Sequence, residues 1–178
     1  KMQIYRSHGI TRNPELMPEN IVGDWIYQQI DLGFNYRMTE LQAALGVSQM
    51  KRLDEFVDRR HVLKNRYDLL LTNTSIVKPY QHINSYSSFH LYPIQIELDG
   101  ISKSHTQVFE ELRQNGIGVN VHYIPIHTHP YYKSFGFKSG DFPNSELYYS
   151  QAISIPLHHG MTFDQQDEVI SSLNEVLQ

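Results

Sequence analysis

The chain has 178 residues, 40% hydrophobic and 19% charged, a balance that suits one ordinary domain, or a small domain with a piece of another, and excludes a disordered segment. Fifteen Lys and Arg against nineteen Asp and Glu leave a net charge of -4. The charges are scattered, which argues against nucleic acid or an anionic membrane surface as partner. The absence of cysteine excludes disulfides and thiolate chemistry and fits a cytoplasmic location, and no apolar run approaches the roughly 18 residues of a membrane helix. Lys1 to Arg6 holds neither an apolar signal segment nor an initiating Met, so the sequence reads as a fragment of a longer protein.

In chain order, residues 3–6 alternate weakly and predict a short strand. Residues 8–35 hold three Gly and two Pro with little periodicity, the composition of a long functional loop. Thr39 then starts a strong helical pattern, with Gln42 at the capping-box position and Leu41, Ala44, Leu45, Met50, Leu53, Phe56 and Val57 at helical spacing. It runs to Leu71 as one very long helix or as two abutting near Gly46 to Met50. Residues 89–98 alternate and predict a strand ending at Asp99-Gly100. Residues 105–115 predict a helix stopped by Gly116, and residues 119–124 a second strand stopped by Pro125, a strand, helix, strand succession. Residues 143–152 form a short helix with Pro first, 153–157 an extended segment and 162–177 a closing amphipathic helix capped by Thr162. The division expected is 1–38 as loop and large-domain piece, 39–75 as bridging helices and 76–178 as a small α/β domain.

His122, His127 and His129 gather at the end of the second predicted strand, where α/β proteins commonly place ligands. A metal reading is weakened by the lack of helical His-x-x-x-His spacing, of a carboxylate within the cluster, and by Pro125 and Pro130. The bland reading is packing or surface histidine. Asn35 and Arg37 directly precede a helix start, where backbone N–H groups and the helix dipole favour an anion such as phosphate; a purely structural role is the alternative. Arg6-Ser7-His8-Gly9 joins a cation, a hydroxyl and an imidazole but specifies nothing by itself. Gly-x-Ser-x-Gly, P-loop and Gly-x-Gly-x-x-Gly signatures are absent.

Taken in order, Arg6-Ser7-His8-Gly9-Ile10, Asn35-Tyr36-Arg37-Met38-Thr39 with Gln42-Ala43-Ala44-Leu45-Gly46, Phe89-His90-Leu91-Tyr92, Gly116-Ile117-Gly118 with His122-Tyr123-Ile124-Pro125, and Ser154-Ile155-Pro156-Leu157 resemble the DegT/DnrJ/EryC1/StrS aminotransferases. The segment 32–37 and the loop 122–127 are most similar to the members that aminate UDP-linked 4-keto-6-deoxy sugars, as in the pseudaminic-acid pathway. The resemblance implies an α/β chain comprising the small C-terminal domain of a fold-type-I enzyme dependent on pyridoxal phosphate (PLP), with a bridging helix and a piece of the large domain. It implies a homodimer with shared active sites, a nucleotide-sugar substrate and glutamate as donor. By the same resemblance Asn35 reaches the phosphate of the partner's PLP with Arg37 beside it, and His122, Tyr123, His127 and His8 are substrate-side contacts, none of them a metal ligand. The family's cofactor-bearing lysine precedes a Thr-Thr-x-Glu-Gly-Gly-like stretch that this sequence lacks, and Lys1 does not fit it. The fragment alone is therefore expected to transfer no amino group. Rival expectations are a non-catalytic or regulatory family member, an interaction module dimerising through its long helix, and a metal-binding protein built on the histidine loop.

Overall fold

The computed structural model describes residues 1–19 and 25–178, which fall into two units, Lys1–Arg52 and Leu53–Gln178. The boundary lies inside the 39–75 segment, because the long helical pattern is broken: α2 (Glu40–Met50) and α3 (Leu53–Leu70) are separate helices, the first ending at Lys51. Thr39 caps α2 by the capping box expected, its side chain accepting from the Gln42 N–H while the Gln42 side chain returns to the Thr39 N–H.

In the first unit the segment 3–6 is not a strand. It belongs to α1 (Met2–Tyr5), since the Tyr5 and Arg6 N–H groups close a helical turn on the Lys1 and Met2 carbonyls. Four alternating residues are too few to distinguish the two periods. The long loop carries a short antiparallel ladder, β1 (Ile10–Thr11) with β2 (Gln28–Gln29), and a 3-10 turn at Pro14–Leu16; its residues 20–24 lie outside the described residues. The chain crosses itself closely at two glycines. A Cβ on Gly33 would lie 2.1 Å from the Gly9 nitrogen, and one on Gly9 would lie 1.7 Å from the Asp31 oxygen. Gly9 also has φ +74, so only glycine suits this crossing.

The second unit is organised on an antiparallel sheet of order β3-β4-β5, formed by Ile76–Val77, Tyr92–Ile96 and Ala152–Ile155. β4 is shorter than the 89–98 expected, and Tyr92, Ile94 and Ile96 point into the core at alternate positions. Pro93 is tolerated in this central strand because of the short β3. The Glu97 N–H faces β3 and bonds the Ser75 carbonyl, so the side on which Pro93 lacks a donor lies beyond the two residues that β3 pairs.

α4 (His105–Gln114), α5 (Pro130–Lys133), α6 (Pro143–Gln151) and α7 (Phe163–Val176) complete the unit, α4 and α7 each starting with a capping box, at Ser104 and Thr162. Leu63 and Tyr67 of α3, Val108 and Leu112 of α4, and Val169 and Leu173 of α7 join Ile94, Ile96, Ile153 and Ile155 in one buried cluster. Each such side chain contributes on the order of 1.5–3 kcal/mol by leaving water. The polar groups that enter the core are bonded there: the Tyr67 hydroxyl donates to the Pro156 carbonyl at 2.9 Å, and Gln166 Nε2 to the Leu63 carbonyl at 2.7 Å.

The second predicted strand, 119–124, does not form a ladder, and the expected strand, helix, strand succession is corrected accordingly. Only Asn120 pairs, bridging Ser154 on the free edge of β5. The Asn120 amide oxygen takes the Val121 N–H at 2.8 Å, a local bond that competes with further pairing, and Pro125 offers no donor.

Leu112→Ala should destabilise the full-length protein by about 2–5 kcal/mol, the usual cost of emptying a closed core position. Chemical denaturation checks this, and a change below about 1 kcal/mol would show that α4 does not belong to the cooperative core.

Candidate functional site

The residues singled out by sequence fall into two groups, one in each unit. In the first unit the strand-like contact between Ser7 and Asn35 is closed by the Tyr36 N–H on the Arg6 carbonyl at 3.0 Å and the His8 N–H on the Phe34 carbonyl at 2.9 Å. The glycine crossing sets this pairing, so Asn35 is placed by backbone rather than by side-chain packing. Its Oδ1 accepts from Arg37 Nε at 3.2 Å and Nη2 at 3.1 Å. The amide is thereby oriented with Nδ2 outward, and Nδ2 has no partner among the described residues. Asn35 Nδ2 and Arg37 Nη1 form a donor set with no carboxylate on it among the described residues, which suits a phosphate. They sit just before α2, whose first N–H groups add to the positive field. His8 shares this segment through its backbone; it has φ +62, and its carbonyl accepts from Gln29 Nε2 at 3.0 Å.

In the second unit His122 follows the Asn120 bridge. Its Nδ1 lies 2.9 Å from Ser154 Oγ and its Nε2 3.4 Å from Asn120 Nδ2, and the Tyr123 ring meets it edge-on at 4.7 Å. Tyr123 is 72% exposed and offers its ring and hydroxyl to solvent. His127 is placed differently. It is 7% exposed, its Nε2 lies 2.8 Å from Glu146 Oε1, and its ring leans on Phe142. The same carboxylate oxygen accepts the Gly140 N–H at 2.7 Å, so Glu146 ties the loop after α5 to the segment before it. His127 also lines a cavity of 370 Å³ with Ile126, Tyr132, Phe137, Phe142 and Ser145.

His122 and His127 thus serve separate partners, and no group of three or more His, Asp or Glu side chains converges among the described residues in a way that could hold a metal ion. Ser154, Asn120 and Glu146 are the polar residues that sequence reasoning passed over. Ser154 stood in a matched motif, but nothing in the spacing told that its hydroxyl meets an imidazole 32 residues earlier.

A model of the DegT/DnrJ/EryC1/StrS aminotransferase family matches residues 1–174, and the chain belongs to that family. The spore coat polysaccharide biosynthesis protein SpsC of Bacillus subtilis is 35% identical over 87% of this chain and 41% of its own length. The UDP-4-amino-4,6-dideoxy-N-acetyl-beta-L-altrosamine transaminase of Campylobacter jejuni is 31% identical over 100% of this chain and 45% of its own length. Among solved structures, Helicobacter pylori PseC, an aminotransferase involved in pseudaminic acid biosynthesis, superposes on 99% of this chain and 45% of its own with a TM-score of 0.86 at 25% identity. The PLP form of Streptococcus pneumoniae Spr1654, assigned as a sugar aminotransferase, gives a TM-score of 0.81 at 27% identity over 99% of this chain and 43% of its own. The chain spans less than half the length of the curated relatives it matches. No helix among the described residues is long and apolar enough to cross a membrane.

Two predictions follow from this geometry. Gly33→Ala should disrupt the crossing at Gly9 and displace Asn35, seen as a lowered thermal midpoint of the full-length protein; an unchanged midpoint would show that the crossing is not needed. The second concerns acid. The bond from His127, and next the Gly140 N–H, hold the Glu146 carboxyl below its ordinary range in the folded chain. Its contribution to stability is therefore complete above the ordinary glutamate range and lost as pH falls through the depressed folded value. Glu146→Gln should flatten the acid limb of the stability profile, and a limb that overlays the wild type would refute the role.

Proposed function

We propose that the full-length protein is a PLP-dependent nucleotide-sugar aminotransferase that moves an amino group from glutamate to the keto carbon of a nucleotide-linked 4-keto-6-deoxy sugar. The family match over residues 1–174, joined to the donor pair Asn35 and Arg37, carries this reading. The names of the relatives support the substrate class. PLP, when bound, supplies the electron sink for amino transfer.

The residues of this chain bind and orient. Asn35 Nδ2 and Arg37 Nη1 take the cofactor phosphate, Asn35 toward the PLP of the second subunit in a homodimer with shared sites. The exposed apolar residues Leu41, Leu45 and Met50 of α2, none of them buried within the chain, support association through this unit. His122 and Tyr123 meet the sugar nucleotide, the imidazole as hydrogen-bond partner of a sugar hydroxyl and the tyrosine as an amphipathic lid. His127, closed onto Glu146, is better read as holding the loop 126–146 in shape than as touching substrate. His8 remains a substrate-side residue in this proposal. Proton transfer belongs to the family's lysine, whose sequence context this chain lacks, so these 178 residues alone transfer no amino group. The second reading is a non-catalytic member of the family that regulates or only dimerises. A cytoplasmic location fits both.

The full-length protein mixed with PLP should show the visible absorbance of bound cofactor, diminished by glutamate; a colourless protein would sink the proposal, and colour indifferent to glutamate would favour the second reading. Asn35→Ala should weaken PLP retention roughly ten- to a hundredfold, as expected for a charge-assisted hydrogen bond. His122→Ala should mainly raise the KM for the nucleotide sugar, by about tenfold. The reverse pattern would exchange the two assignments.

A further inference from the structure

We infer that Ser154 is a positioning residue, which holds His122 with its hydrogen on Nδ1 and so presents the Nε2 lone pair to a donor on the nucleotide sugar. This rests on the reading of His122 as a substrate-facing residue. The hydrogen bonds around the ring run in one direction. The Val121 N–H donates to Asn120 Oδ1 at 2.8 Å, which settles the end of that amide that is oxygen and turns Nδ2 toward the imidazole. Nδ2 has only hydrogens to give, so across the 3.4 Å to His122 Nε2 it is the donor and Nε2 the acceptor. A neutral imidazole that accepts at Nε2 carries its hydrogen on Nδ1, and Nδ1–H then donates to Ser154 Oγ at 2.9 Å.

The two contacts differ in permanence. Ser154 is 5% exposed and sits on β5, where its N–H donates to the Asn120 carbonyl at 2.7 Å and its carbonyl accepts the Asn120 N–H at 3.2 Å. The contact at Nε2 is long and exposed. A hydroxyl or amide N–H of the substrate can replace Asn120 at Nε2 while Ser154 keeps the ring in plane. The recognition chemistry assigned to His122 is therefore acceptance of a hydrogen bond from a neutral donor, not pairing with a phosphate.

The test is steady-state kinetics of the full-length enzyme with a UDP-linked 4-keto-6-deoxy sugar, on a cycle of variants. Ser154→Ala should raise the KM for the sugar about three- to tenfold, the scale of one neutral hydrogen bond, with kcat within about twofold. Ser154→Thr, which keeps the hydroxyl, should restore most of the loss. In a His122→Ala background Ser154→Ala should add nothing, because both changes remove the same interaction. Full additivity in that background, or a Thr variant as impaired as the Ala variant, would overturn the positioning role and leave Ser154 as a packing residue. An unchanged KM in Ser154→Ala with a raised KM in His122→Ala would overturn it as well. An unchanged KM in His122→Ala would instead remove the reading of His122 on which the inference stands.

Discussion

Strand β5 is buried at all four of its positions and bonded along both edges. On one edge Ala152 to Ile155 pair with Gln95 back to Tyr92; on the other Ser154 meets Asn120. A one-residue slip would exchange Ile153 and Ile155 with Ala152 and Ser154 and break both sets of bonds, so the register is fixed by packing and hydrogen bonding together. Neighbouring elements are fastened to this strand, to the residues that follow it and to the segment before β4. His105 Nε2–H donates to the Ala152 carbonyl at 3.0 Å, Tyr67 bonds the Pro156 carbonyl, and Arg60 Nη1 reaches the carbonyls of Phe89, His90 and Leu157 at 2.8–3.1 Å. The hydroxyl that meets His122 is thus carried by a buried strand bonded on both edges. An exposed loop acquires a defined imidazole from a buried strand.

The polar groups near the core of the second unit and the pair Asn35 and Arg37 differ in what they bond. In the second unit, nearly every charged or polar group near the core is consumed by the scaffold: Arg66 forks onto Asp167 at 2.7 and 2.9 Å, Tyr92 donates to Asp68 at 2.6 Å, and His127 closes on Glu146. Burial drives the Tyr92 hydroxyl upward, and the Asp68 carboxylate that it donates to adds to the shift, which keeps it a neutral donor. In the first unit the Asn35 and Arg37 side chains bond only each other among the described residues and leave donors to spare. Oriented donors without an acceptor suit the anion proposed for them, whereas satisfied pairs hold their elements in place.

Much of the architecture was legible from the sequence because it depends on local chemistry. The capping boxes at Thr39 and Thr162, Pro143 at a helix start and the alternation at Tyr92, Ile94 and Ile96 are each decided by a few neighbouring residues. The errors arose where a distant partner or a competing local bond decided. The segment 3–6 turns into helix α1, tied by Tyr5 to Asp31 at 2.8 Å, and the 119–124 segment yields its ladder to the Asn120 side chain. The two residues of β3 carry no pattern at all and exist only because Ile96 and Gln95 are opposite them.

The sequence alone determined the family, the longer helices with the caps at Thr39 and Thr162, and the residue types of the candidate contacts, since order of motifs and short-range periodicity are properties of the chain before it folds. The tertiary structure decided which of those contacts are available. It turned Asn35 outward by giving its oxygen to Arg37, spent His127 on Glu146, and gave His122 a defined direction through Ser154. The reason is that a hydrogen bond depends on distance and angle between groups far apart in sequence, which only the packed sheet and the glycine crossing bring within reach.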